Sequence, residues 1–131
     1  TQVVLPLLES DLLTVMKAVT EERLSEIEVK FADKNACCVI MASEGYPEHY
    51  DKGFEIEGLD DFDNEQYFCF HAGTKKNEAG KIVTNGGRVL GITAKGDDLK
   101  QARANAYEAT KRISFANKYM RNDIGKAIDE A

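Results

Sequence analysis

After Ser10, apolar residues return at helical spacing: Leu12, Leu13, Met16 and Val19 fall on one stripe. That pattern predicts an amphipathic helix over residues 11–20, with Ser10 as its N-cap and Pro6 as the break or first turn before it. The run Ala36 to Ala42 is short, apolar and partly β-branched, as expected for a strand buried on both faces. Gly45, Pro47 and Gly53 then predict a long turn. Tyr67 to Ala72 is aromatic-rich and reads as a second strand, leading through Gly73, Lys75, Lys76, Asn77 and Gly80 into a hairpin whose return arm is Lys81 to Thr84. Asn85-Gly86-Gly87 makes the next turn, and Arg88 to Ala94 the next strand. Asp97 is placed to cap a helix with Leu99, Ala102, Ala106, Tyr107 and Ile113 on its apolar face, and a short helix is expected around Ile124 to Ala131.

A helix, several strands and a longer helix, in that order, is the pattern of an α+β domain with a mostly antiparallel sheet and helices packed on one side. With 131 residues, no internal repeat and no linker, residues 1–131 read as a single domain able to build a core without disulfides or a structural metal. The longest apolar run is far below the roughly 20 residues of a membrane-spanning helix, so no membrane anchor is expected. Cys37, Cys38 and Cys69 are odd in number and form no C-x-x-C pair, which reads as reduced cytoplasmic thiols. The start lacks both an initiator Met and a basic signal region, pointing to a processed chain or one cut from something longer.

Charge changes the picture. The net charge of −6 disfavours nucleic acid and anionic membranes as partners. It is unevenly spread, however: residues 1–74 carry 5 basic and 16 acidic side chains, whereas residues 75–131 carry 12 and 7. The second half can therefore receive an anion, or the two halves are simply solvated faces of opposite sign.

Neither His49 nor His71 has a second His or Cys at metal-ligand spacing, so no metal site is expected. The acidic stretch Asp60 to Glu65 lacks the mid-loop Gly and the bidentate Glu of a calcium loop. The richest constellation is Thr84-Asn85-Gly86-Gly87-Arg88 beside Thr74-Lys75. Two glycines allow close approach to main-chain N–H groups, and Arg88 offers a fork that matches phosphate or carboxylate oxygens. The other reading is a tight turn with Arg88 in solvent. Tyr46, on a loop set by Gly45 and Pro47, points into a cleft or caps packing; His71 contacts a ligand or bonds a strand end.

Five motifs, TQVVLPLLESDL (1–12), VIMASEGYP (39–47), FHAGTK (70–75), IVTNGGRVLGITAKG (82–96) and RNDIG (121–125), occur in one order along almost the whole chain. Together they resemble the C-terminal part of the phosphoribosylamine–glycine ligase (glycinamide ribonucleotide synthetase) family. The resemblance implies an ATP-grasp enzyme of purine synthesis that joins glycine to 5-phosphoribosylamine with ATP and magnesium, through a glycyl phosphate. It further implies that residues 1–25 continue from an ATP-grasp domain, that residues 26–131 form the C-terminal domain, and that the grasp lobes and magnesium ligands lie upstream. Expected partners are those other domains and the two small substrates.

On this basis the fragment alone is expected to be inactive, with no catalytic residue, cofactor or metal of its own. Lys75 and Arg88 are the expected phosphate or carboxylate contacts, with the Gly86 and Gly87 amides beside them and Tyr46, His71, Thr74 and Asn85 shaping the pocket. The alternative from another class is a stand-alone module that binds a phosphorylated metabolite without chemistry; a purely structural domain is the third.

Overall fold

A computed structural model describes residues 1–130, without the side chains of Asp129 and Glu130. Strands β1 (Asn35–Ser43), β2 (Tyr67–His71), β3 (Thr74–Lys76), β4 (Ile82–Thr84), β5 (Arg88–Gly96) and β6 (Lys118–Tyr119) accompany helices α1 (Leu12–Thr20) and α2 (Leu99–Thr110). Four strands form an antiparallel sheet in the order β2-β5-β1-β6, and β3 and β4 make a separate two-stranded hairpin. The α+β class and the antiparallel sheet are as the sequence predicts.

The central pair sets the core. Val39 lies opposite Ile92, Met41 opposite Leu90 and Cys37 opposite Ala94, so these side chains share one face. α2 packs across that face through Ala102, Ala106 and Ala109, all fully buried. Small residues there let the helix approach closely. At Gly96 a Cβ would stand 2.3 Å from the amide nitrogen of Ala102, so only glycine fits under the start of α2.

The expectation that both helices pack on one side of the sheet is corrected for α1. This helix packs chiefly on the turn that follows it, at Leu24–Glu26, and leaves Leu13 66%, Met16 58% and Val19 56% exposed. The first strand is also less covered than expected: Val39 and Met41 are fully buried, but Cys38 and Ile40 on its other face only half so. Among the described residues that face has no α-helix over it. Residues 1–8 run there instead, where the Thr93 hydroxyl donates to the Gln2 carbonyl at 3.0 Å.

Three local corrections have simple causes. Asp11, not Ser10, caps α1, accepting from the Thr14 amide at 2.7 Å; the Ser10 hydroxyl accepts from the Lys30 amide at 2.8 Å. Asp98, not Asp97, caps α2 by accepting from the Gln101 amide at 2.7 Å, because the Asp97 carboxylate is engaged by Lys34. The return arm Ile82–Thr84 pairs with Thr74–Lys76 rather than with the aromatic strand, which adds to the edge of β5 with Tyr67 opposite Ala94 and His71 opposite Leu90. Pairing with β5 half-buries the aromatic run against the main sheet along all five of its residues, a length the three-residue return arm does not offer. α2 ends at Thr110, and Ile113 is buried from the loop beyond it. The expected terminal helix is a 3-10 segment over Lys126–Glu130, and Ala131 lies outside the described residues. No helix of the described residues is long and apolar enough to cross a membrane.

Candidate functional site

The turn between β4 and β5 is held by its neighbours from two sides. The Ser43 amide donates to the Gly87 carbonyl at 2.8 Å, and the Ser43 hydroxyl to the Gly86 carbonyl at 3.0 Å. The Gly73 amide donates to the Arg88 carbonyl at 2.8 Å, and the Asn85 amide to the Gly73 carbonyl at 2.7 Å. Both glycine carbonyls are thus engaged, while among the described residues neither the Gly86 nor the Gly87 amide donates a hydrogen bond. Gly87 is buried beneath its neighbours, whereas Gly86 keeps part of its backbone open to solvent.

Glycine is required here by space. A Cβ on Gly73 would stand 2.6 Å from the Arg88 carbonyl oxygen and from the Gly86 Cα, and one on Gly87 would stand 1.9 Å from Cδ2 of Tyr46. The Tyr46 ring therefore lies directly on Gly87. Its loop, with a cis Tyr46-Pro47 bond, begins where the Tyr46 amide donates to the Ser43 carbonyl at 3.1 Å, and the ring meets Tyr50 edge-on at 6.0 Å.

Two depressions meet at Tyr46, Ile40 and Arg88. One is a mixed groove lined also by Gln2, Ala72, Gly73 and Gly87. The other is an apolar cavity of about 270 Å³ walled by Ala42, Tyr119, Met120 and Ile124, with Arg121 and Cys38 also on its lining. Arg121 is paired with Asp123 at 2.6 Å. The Arg88 guanidinium has no hydrogen bond or ion pair among the described residues and is exposed at the junction. An exposed, unpaired fork can receive phosphate or carboxylate oxygens at little desolvation cost.

The other candidates divide. Asn85 and Gly86 line neither depression; they lie behind the groove's wall, where Gly86 packs on Gly73 and the Asn85 amide donates to the Gly73 carbonyl. Thr74 lies opposite Thr84 on the hairpin, and its hydroxyl sits 3.0 Å from Nδ1 of His71. His71 lines a different groove, with Glu55, Glu57 and Asp60, where the local charge opposes an anion. Lys75 is exposed on β3 and lines neither depression beside Arg88. Gln2 is the polar side chain of the groove that sequence reasoning omits: it is remote in sequence from the β4–β5 turn, and a lone glutamine carries no motif of its own.

The family model for the phosphoribosylglycinamide synthetase C domain matches residues 36–127, covering β2 to β6, α2 and all of β1 but Asn35. The chain belongs to this family. Phosphoribosylamine–glycine ligase of Caldanaerobacter subterraneus subsp. tengcongensis is 49% identical over 124 residues, 95% of this chain and 29% of that protein. The bifunctional purine biosynthetic protein purD of Dictyostelium discoideum is 45% identical, over 96% of this chain and 16% of its own length. The crystal structure of phosphoribosylamine–glycine ligase from Thermotoga maritima superposes with a TM-score of 0.64 at 32% identity, covering 82% of this chain and 27% of that one. The C-domain chain thus spans 30% or less of the length of these relatives.

Proposed function

We propose that this chain acts as the C-terminal domain of a phosphoribosylamine–glycine ligase and supplies one wall of its active site, seating the phosphate of 5-phosphoribosylamine while glycine is joined to it at the expense of ATP. The observation that carries this reading is the unpaired Arg88 guanidinium exposed at the groove. Arg88 neutralises the phosphate, with the Gly86 and Gly87 backbone beside it, and the Tyr46 ring bounds the groove. These residues bind and orient, which is the larger part of catalysis when a phosphorylated substrate must be held against its partner. Lys75, exposed on β3, acts on the anion only as a long-range charge; Asn85, Thr74 and His71 shape the hairpin beside it.

Among the described residues no three His, Cys, Asp or Glu side chains converge on a possible metal site. In this reading the magnesium and ATP of the family are held by the domains upstream, and no step here is routed through them. Residues 1–25 continue from the grasp lobe in this reading, and the exposed Leu13, Met16 and Val19 stripe of α1 packs against it. The longer reach of the relatives supports that occupant. The protein works in the cytoplasm, consistent with three free cysteines.

The test is Arg88→Ala in the full-length ligase. Loss of a charge-assisted contact should lower kcat/KM for the sugar phosphate by about 1.5–3 kcal/mol in transition-state terms, roughly ten- to a hundredfold, with KM for glycine unchanged. Unaltered kinetics would remove Arg88 from the site.

A further inference from the structure

Three side chains bring polar groups to the groove: Arg88, Tyr46 and Gln2. Gln2 is held on the open face of the sheet by contacts at both its main chain and its side chain. Its carbonyl accepts from the buried Thr93 hydroxyl at 3.0 Å, and its Oε1 accepts from the Cys38 thiol at 3.7 Å. Its Nε2 stands where a side chain on residue 91 would begin, 2.9 Å from the position of a Cβ on Gly91. Gly91 therefore makes room for the carboxamide. With Oε1 occupied, Nε2 is left with two N–H donors and no acceptor among the described residues.

Arg88 and Gly91 lie three residues apart on β5, roughly 10 Å of strand. A ligand whose phosphate rests on Arg88 extends along the strand toward Nε2, and a neutral amide donor there matches a neutral acceptor. Resting on the phosphate-seating reading above, we infer that Gln2 is a specificity-determining residue that donates to a sugar hydroxyl remote from the phosphate, so that the groove distinguishes a ribose phosphate from a deoxyribose phosphate.

The experiment measures binding of D-ribose 5-phosphate and 2-deoxy-D-ribose 5-phosphate to the full-length protein by calorimetric titration. The wild-type protein is expected to prefer the ribose by about fivefold, the worth of one neutral hydrogen bond. Gln2→Ala should bring the ratio near one. Gly91→Ala, whose Cβ displaces the carboxamide, should do the same while retaining Gln2. Arg88→Ala should weaken both sugars and preserve the ratio. A ratio that survives Gln2→Ala while Arg88→Ala weakens both sugars overturns the inference about Gln2 alone. Equal binding of the two sugars to wild-type protein also overturns it. Unchanged affinities in Arg88→Ala, or no binding of either sugar to wild-type protein, overturn the phosphate-seating reading and this one with it.

Discussion

Gly87→Ala isolates the contact on which the site's shape depends. Gly87 does not have a positive φ, so alanine meets no backbone strain there and the whole effect is the collision with Tyr46. The new Cβ would stand 1.9, 2.5 and 2.8 Å from three ring carbons, whereas ordinary contact begins near 3.4 Å. The ring must therefore retreat by about 1.5 Å or swing outward, a distance typical of overpacking that forces a side chain from its rotamer. Because Tyr46 is 43% exposed, it has solvent to move into and the fold survives. What is lost is the ring's half-buried packing and its edge contact with Tyr50, together about 2 kcal/mol. For a domain of this size that lowers Tm by roughly 6–10 °C. Thermal and denaturant unfolding of the single variants Gly87→Ala and Tyr46→Ala and of the double variant measure the coupling. With the ring gone, adding alanine at 87 should cost less than about 0.5 kcal/mol. A Gly87→Ala penalty that is the same with and without the tyrosine ring would refute the reasoning, since the cost would then lie elsewhere than in this contact.

Gly73→Ala should be worse than Gly87→Ala, by more than about 3 kcal/mol in total, because its Cβ meets backbone atoms of Gly86 and Arg88 that cannot step aside; denaturant unfolding ranks the two. Burial pushes the Cys69 thiol up to about 11, and burial likewise raises Cys37 and Cys38, so thiol reagents at neutral pH should label the folded chain slowly and the unfolded chain fast at all three. The linkage follows in sign: below the ordinary thiol value of 9.0 both states are protonated, and between there and about 11 the unfolded chain ionises first. Stability measured by denaturant titration should therefore fall as pH rises through that window. The amides of Tyr67, Glu65 and Gln66 hold the Asp63 carboxyl below its ordinary value of 3.8, so its stabilising contribution is present above that pH and lost as pH falls through the lowered value; Asp63→Ala should flatten this part of the acid limb of the stability profile.

The division between what is legible in the chain and what is not follows the range of the interactions. β1, β5 and α2 are readable because their periodicity and their Gly, Asn and Asp punctuation are local consequences of local residues. The Asn85-Gly86-Gly87-Arg88 turn is readable for the same reason: glycines beside an arginine state a backbone possibility and a charge within four positions. Cap identity fails by one residue at Ser10 and Asp97 because neighbouring side chains compete for the same role, and distant partners at Lys30 and Lys34 decide which is free. Strand pairing fails at the hairpin for the same reason on a larger scale, since the five residues Tyr67 to His71 find a full-length edge on the nine-residue β5 that the three-residue return arm does not offer. α1 looks like a core helix in sequence, yet which surface its stripe meets is a tertiary fact. The site shows the contrast most clearly. Sequence alone could nominate Tyr46, His71, Lys75 and Arg88 as chemically able, but only the packing of Gly73 on Gly86 and of Tyr46 on Gly87 places Tyr46 with Arg88, sends His71 to an acidic groove and brings Gln2 across the sheet. Residue type is written in the chain; the company each residue keeps depends on contacts spanning tens of positions, which only the folded packing selects.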